Sequence, residues 1–214
     1  MLVIFDCDGV LVDSERWSIA TLRDLLADHG AVLTTQQTVD TFLGVSIPVC
    51  LERCTQLLGG ALPAGFFDTL VARTRRAFEA GLTAMPGIEP VLDALRVPYC
   101  VASNGNHMKV NFTLGHTGLL PRFAGRIFTA DDVPRPKPAP DLFLHAARSL
   151  GRDPARAVVV EDTPTGITAA KAAGMLAIGF CAMTPPERLL AAGADHLAPD
   201  MSGLLRVLTD CGGV

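Results

Sequence analysis

Residues 4–15 read "IFDCDGVLVDSE", and residues 1–5 just ahead read "MLVIF". The opening run is apolar, short and without helical spacing, which describes a buried strand. Asp6 and Asp8 follow directly at its end. A carboxylate moved from water to the side of a core strand costs on the order of several kcal/mol unless it is paired or holds a cation. Two such residues in one turn therefore call for partners elsewhere in the chain. Gly9 behind them lets the backbone bend sharply.

Working outward, the pattern becomes helical for a long stretch. "SERWSIATLRDLLADHG" carries Ser14 as a candidate N-cap, apolar Ile19, Leu22, Leu25 and Leu26, and Gly30 as a terminator. "TTQQTVDTFLG" predicts a second helix, and "PVCLERCTQLLGG" a third with Pro48 in its first turn. "PAGFFDTLVARTRRAFEAGL" predicts a fourth, with Phe67, Leu70, Val71, Thr74 and Phe78 on its apolar face. No strand pattern interrupts residues 14–81. After "TAMPG" the chain alternates. Strands are expected at 99–103, 126–130, 157–161 and 176–180, with helices at 88–96, 106–115, within "PDLFLHAARSLG" and within "PTGITAAKAAG". Two closing helices follow, in "PPERLLAAGA" and "MSGLLRVL". Such alternation implies an α/β fold, a Rossmann-like parallel sheet with helices on both faces. The first strand must join that sheet, so the helical block is an insertion. Residues 1–14 and 84–214 are expected to form the Rossmann-like core and residues 15–83 an inserted all-helical domain.

Composition narrows the function. Of 214 residues, 49% are hydrophobic and 19% charged, which suits a globular chain. The net charge of -4 and the lack of a Lys/Arg block argue against a nucleic-acid partner. No long apolar span or charged leader is apparent, so a cytoplasmic protein with no membrane partner is expected, working as a monomer or weak homodimer. The six cysteines form no CxxC and sit mostly in apolar surroundings, reading as buried free thiols.

Parallel sheets bind ligands beyond the carboxyl ends of their strands. At those ends stand Asp6 and Asp8, then Ser103-Asn104-Gly105, then Glu161-Asp162-Thr163, with Lys137 in "RPKPAPDLF" between the last two. Hard oxygen ligands of this kind suit Mg²⁺, which keeps waters and shares its shell with phosphate. Lys137, Ser103 and free backbone N–H groups suit phosphoryl oxygens. One aspartate can attack phosphorus while a second two residues on delivers a proton. Each element taken alone has a structural reading too. Asp6 and Asp8 could form an Asx turn, Ser103 and Asn104 could start a helix, and Glu161 and Asp162 could complement a helix dipole. Asp141 is assigned to the first turn of its helix and given no chemistry.

In order along the chain, "DCDGVLVDSE" (6–15), "ASNG" (102–105), "RPKPAPDLF" (135–143) and "VVVEDTPTGITAAKAAGM" (158–175) resemble the four motifs of the haloacid dehalogenase-like hydrolase superfamily. The resemblance is to the branch with a helical cap, which includes sugar-phosphate phosphatases and β-phosphoglucomutase. It implies that Asp6 is the nucleophile and a Mg²⁺ ligand. Asp8 is implied as general acid, then base, lending its backbone carbonyl to the metal. Ser103, Asn104 and Lys137 would bind the phosphoryl group. Asp162 would bind Mg²⁺ directly and Glu161 directly or through water. The Lys137-Pro138 bond is expected to be cis.

The departures choose within the family. The mutase type has a histidine where this chain has Ser18, and an arginine where it has Ile47. Dehalogenases lack the second aspartate, here Asp8. Phosphonate cleavage would want a lysine in the cap, and residues 15–83 contain none. The expected activity is a Mg²⁺-dependent phosphatase acting on a small phosphorylated metabolite, a sugar phosphate by class, through an aspartyl-phosphate. A phosphomutase and a non-catalytic binding protein on the same fold are the rivals. The loop "FLGVSIP" (42–48) is the candidate specificity element.

Overall fold

The computed structural model describes all 214 residues. In chain order, strand β1 (Leu2–Phe5) precedes four helices, α1 (Glu15–Asp28), α2 (Thr35–Phe42), α3 (Ile47–Leu58) and α4 (Phe66–Gly81). Then follow α5 (Ile88–Ala94), β2 (Tyr99–Ser103), α6 (His107–His116), β3 (Ile127–Thr129), α7 (Asp141–Ser149) and β4 (Ala157–Glu161). The chain ends with α8 (Pro164–Ala172), β5 (Leu176–Phe180), α9 (Pro186–Ala191), β6 (His196–Ala198) and α10 (Met201–Asp210). It divides into two compact units, Met1–Asp13 with Thr83–Val214, and Ser14–Leu82.

The first unit is a Rossmann-like α/β core. Its six strands are all parallel, in the order β3-β2-β1-β4-β5-β6. β1 lies between β2 and β4 and is fully buried, which is why it reads as an unbroken apolar run. One face of the sheet packs Leu2, Ile4, Cys100 and Val159 against Leu142, Phe143 and Ile167 of the helices. Chain order runs outward from β1 to β3, then restarts at β4 on β1's other side. The reversal between β1 and β4 opens a crevice at their carboxyl ends. The chain leaves this unit after Asp13 and returns at Thr83, where the Asp13 N–H donates to the Thr83 carbonyl at 3.0 Å. β6 escapes the sequence pattern: three residues on a sheet edge, the first of them exposed, are too few to set a period.

The second unit is all helix. Ile19, Leu22, Leu25 and Leu26 of α1 are buried, and α2 opens on a capping box in which Thr34 and Gln37 satisfy each other's backbone N–H groups. Gly81 has no Cβ because the Trp17 ring occupies that space; a Cβ there would lie 2.4 Å from the ring. The buried stripe of α4 differs from the expected one. Phe66 and Phe78 face inward, with Leu70 and Thr74 half-buried between them, while Phe67 and Val71 are exposed. With both 66 and 67 aromatic, periodicity alone permits two stripes about 100° apart, and packing selects the first. All six cysteines are free, and Cys7, Cys50, Cys54 and Cys100 are buried. No helix is long and apolar enough to cross a membrane.

Candidate active site

β1 delivers Asp6 to the crevice, and the turn behind it is closed by Leu11 and Val12 N–H groups donating to the Cys7 carbonyl. Gly9 in this turn has φ +74°, and a Cβ on it would fall 2.1 Å from Oδ2 of Asp162. Glycine is thus required both by conformation and by the approach of the neighbouring acid. β4 ends at Glu161, with Asp162 next, and both are buried. Carboxylate oxygens of Asp6, Glu161 and Asp162 lie within 4.8 Å of one another.

Lys137 reaches this cluster from the loop before α7. Its buried Nζ donates to Asp6 Oδ1 at 2.6 Å and to Glu161 Oε1 at 2.7 Å, and rests 4.7 Å from the centre of the Phe143 ring. The Lys137-Pro138 bond is cis. Glu161 is fastened at its other oxygen, where Oε2 accepts from the Thr163 N–H at 2.9 Å and the Thr163 hydroxyl at 2.8 Å. Thr163 also caps α8 by accepting from the Gly166 N–H. Ser103 is buried at the end of β2, and its Oγ accepts from the Gly105 N–H at 3.0 Å.

Asn104 stands with this group in an unexpected way. Its side-chain amide donates to the Lys137 carbonyl at 3.0 Å, and its Oδ1 accepts from the Lys137 N–H at 2.9 Å. The side chain grips the lysine's backbone, which sets where that loop presents its ammonium. Asp8 lies outside the buried trio, and its Oδ2 accepts from Lys109 Nζ at 2.7 Å. Asp141 opens α7 and makes a two-bonded pair with Arg135, a structural role as its position suggested.

The electrostatics follow from burial. Burial is the largest influence on the Asp6 carboxyl; with Glu161 and Asp8 adding to it and Lys137 opposing, the group is raised to about 7. Burial also works against the Lys137 charge, but Asp6 and Glu161 outweigh it and hold the ammonium above the usual lysine range. Burial likewise pushes the Cys7 thiol well up, so this neighbour of Asp6 is no nucleophile. Three carboxylates face one ammonium, leaving an excess of two negative charges when all are ionised. The donors are all hard oxygens. A divalent cation of the hard class fits both the charge and the chemistry of this set.

Sequence reasoning missed two residues here. Lys109 has no motif to mark it. Gly166 makes room for Glu161: a Cβ on it would lie 1.8 Å from Oε1. Within a helix alanine normally gains about 1 kcal/mol over glycine. Gly166→Ala is nevertheless expected to lower stability by about 1–3 kcal/mol, because the Glu161 carboxylate is pinned on both oxygens and cannot retreat. Thermal unfolding checks this, and a stabilised variant would contradict it.

A profile of haloacid dehalogenase-like hydrolases matches residues 1–174. The chain belongs to this family. It is 30% identical to 6-phosphogluconate phosphatase of Escherichia coli (strain K12) over 181 residues, which cover 84% of this chain and 82% of that one. Among solved structures, a conserved haloacid dehalogenase-like protein of unknown function from Agrobacterium tumefaciens str. C58 superimposes with a TM-score of 0.91 at 34% identity, over 99% of this chain and 98% of that chain. A family hydrolase from Deinococcus radiodurans R1, with bound phosphate and sodium, gives 0.85 at 31% identity, over 100% and 96%.

Proposed function

We propose that the chain is a Mg²⁺-dependent phosphatase that hydrolyses a small phosphorylated metabolite, a sugar phosphate by class, through an aspartyl-phosphate on Asp6. The observation that carries this reading is the buried meeting of Asp6, Glu161 and Asp162 with Lys137 at the carboxyl ends of β1 and β4. The phosphatase named among its relatives, and the phosphate and sodium in the Deinococcus structure, support it.

Asp6, Asp162 and Glu161 would hold the cation, with the Asp8 backbone carbonyl, and the bound ion would neutralise carboxylate and phosphoryl charge together. A carboxylate oxygen of Asp6 attacks phosphorus, forming the O–P bond while the bond to the leaving oxygen breaks. Asp8 gives its proton to that oxygen, releasing the alcohol, then takes a proton from the water that attacks the phosphoaspartate. Inorganic phosphate leaves and Asp6 is regenerated. Lys137 and Ser103 orient the phosphoryl oxygens, and Asn104 keeps Lys137 in place. The helical unit acts as a cap that selects the substrate, with residues 42–48 as the discriminating loop.

The test is phosphate release from an aryl phosphate and a panel of sugar phosphates, with Mg²⁺ and with EDTA. Release that requires the metal is expected. Repeating the panel with residues 45–48 replaced should reorder the substrates; an unchanged order removes the loop from the reading. Folded, Mg²⁺-supplied protein that releases nothing overturns the phosphatase reading in favour of a mutase or a binding protein.

A further inference from the structure

We infer that Lys109 is a positioning residue for the acid–base aspartate, fixing the Asp8 carboxylate so that proton donation to the leaving oxygen is efficient. The inference rests on the phosphatase reading and on the role proposed there for Asp8.

Lys109 is the third residue of α6, and its backbone N–H is anchored by the Asn106 side chain at 2.8 Å. A cation in the first turn of a helix sits at the unfavourable end of the dipole. Its side chain finds an acid 101 residues away: Nζ donates to Asp8 Oδ2 at 2.7 Å. Space for the stem is provided from the loop after β2, where a Cβ on Gly105 would come within 3.3 Å of the Lys109 Cδ. The segment that follows Ser103 thus supplies a missing side chain at Gly105, a helix start at Asn106 and, in the first turn of α6, a cation at Lys109.

The two lysines of the site are arranged for different tasks. Lys137 is buried on Asp6 and Glu161. Lys109 is two-fifths exposed and meets the carboxylate that lies outside the buried trio. A carboxylic acid that must hand over its proton and then, as the carboxylate, take one from water needs a defined orientation in both steps, because proton transfer falls off with small misplacements. An ion pair at Oδ2 restrains rotation of the carboxyl group about its Cβ–Cγ bond.

The test exploits leaving-group chemistry. A 4-nitrophenolate departs without protonation, whereas the alkoxide of glycerol phosphate does not. Lys109→Met is expected to lower kcat/KM for glycerol phosphate by about ten- to a hundredfold, while kcat/KM for 4-nitrophenyl phosphate changes by less than about threefold. Lys109→Arg should recover most of the loss. In an Asp8→Asn background, with phenyl phosphate as substrate, Lys109→Met should add less than about a twofold further fall. Equal falls on both substrates, no fall on either, or full additivity with Asp8→Asn would overturn the inference. Wild-type turnover of 4-nitrophenyl phosphate keeps this separate from the underlying reading. If the wild type fails on both substrates, the phosphatase reading falls and takes the role of Lys109 with it.

Discussion

Asp6→Asn is expected to abolish phosphate release, a fall of about 10⁴-fold or more, without loss of folded stability in EDTA. The first half follows from the proposed chemistry: an amide cannot form the acyl-phosphate bond, and no neighbour can replace it. Cys7 is a buried thiol pushed well up, and Glu161 is held at both oxygens. The second half follows from charge. Asp6 is one of three clustered buried carboxylates, two of which pair with one ammonium, and its carboxyl is raised to about 7 because ionising there is unfavourable. Asparagine keeps the shape and removes one of the excess charges, while Lys137 retains Glu161 at 2.7 Å. A catalytic centre of this kind gives up stability for function, so the inactive variant should unfold no earlier than the parent. Thermal unfolding in EDTA and a phosphate assay in Mg²⁺ read the two halves separately. A variant that unfolds several degrees earlier would make the Asp6–Lys137 pair chiefly structural. One that retains Mg²⁺-dependent release within about tenfold of the parent would place the nucleophile elsewhere.

How much of this could be read from the chain depends on how local each feature is. β1 was legible because a central parallel strand is buried on both faces and so reads as an unbroken apolar run. The helical insertion was legible because four amphipathic stretches follow one another with no strand between them. The acid cluster was legible in composition, since Asp6, Glu161 and Asp162 stand at or just past the ends of β1 and β4 and the strand order brings those ends together. What stayed hidden depends on packing between distant segments. The Asn104 amide could serve a phosphate or a backbone, and only the folded loop shows it turned to Lys137. Lys109 is one lysine on one helix until the fold carries it to Asp8. Gly166 looks like a weak helix residue until the Glu161 carboxylate is seen in the space its missing side chain leaves. The inward stripe of α4 turned on a choice between adjacent phenylalanines that hydropathy treats as equal.

Lys137→Met is expected to cost both stability and activity, and Mg²⁺ should restore only the first. The lysine Nζ lies buried between Asp6 and Glu161 at 2.6 and 2.7 Å. Methionine fills much the same volume beside the Phe143 ring but leaves three buried carboxylates with no cation among them. Removing one partner of a buried ion pair costs about 3–5 kcal/mol, and that loss is expected in EDTA. A cation that binds the folded trio and not the unfolded chain stabilises by mass action, about 2.7 kcal/mol at a hundred times its dissociation constant. The variant should therefore gain more in Tm from added Mg²⁺ than the parent does, since its cluster carries one more uncompensated negative charge. Activity should stay down by about 10²–10³-fold even when the metal has restored the fold, because no group replaces the ammonium at the phosphoryl oxygens. Arginine should not rescue it: a planar fork is a poor fit for a cleft shaped around one ammonium. If Mg²⁺ raises the Tm of neither protein, the three carboxylates are not a shared cation site, and the excess charge of the cluster must be balanced by protons instead; equal gains would show that Lys137 does not compete with the cation for that charge.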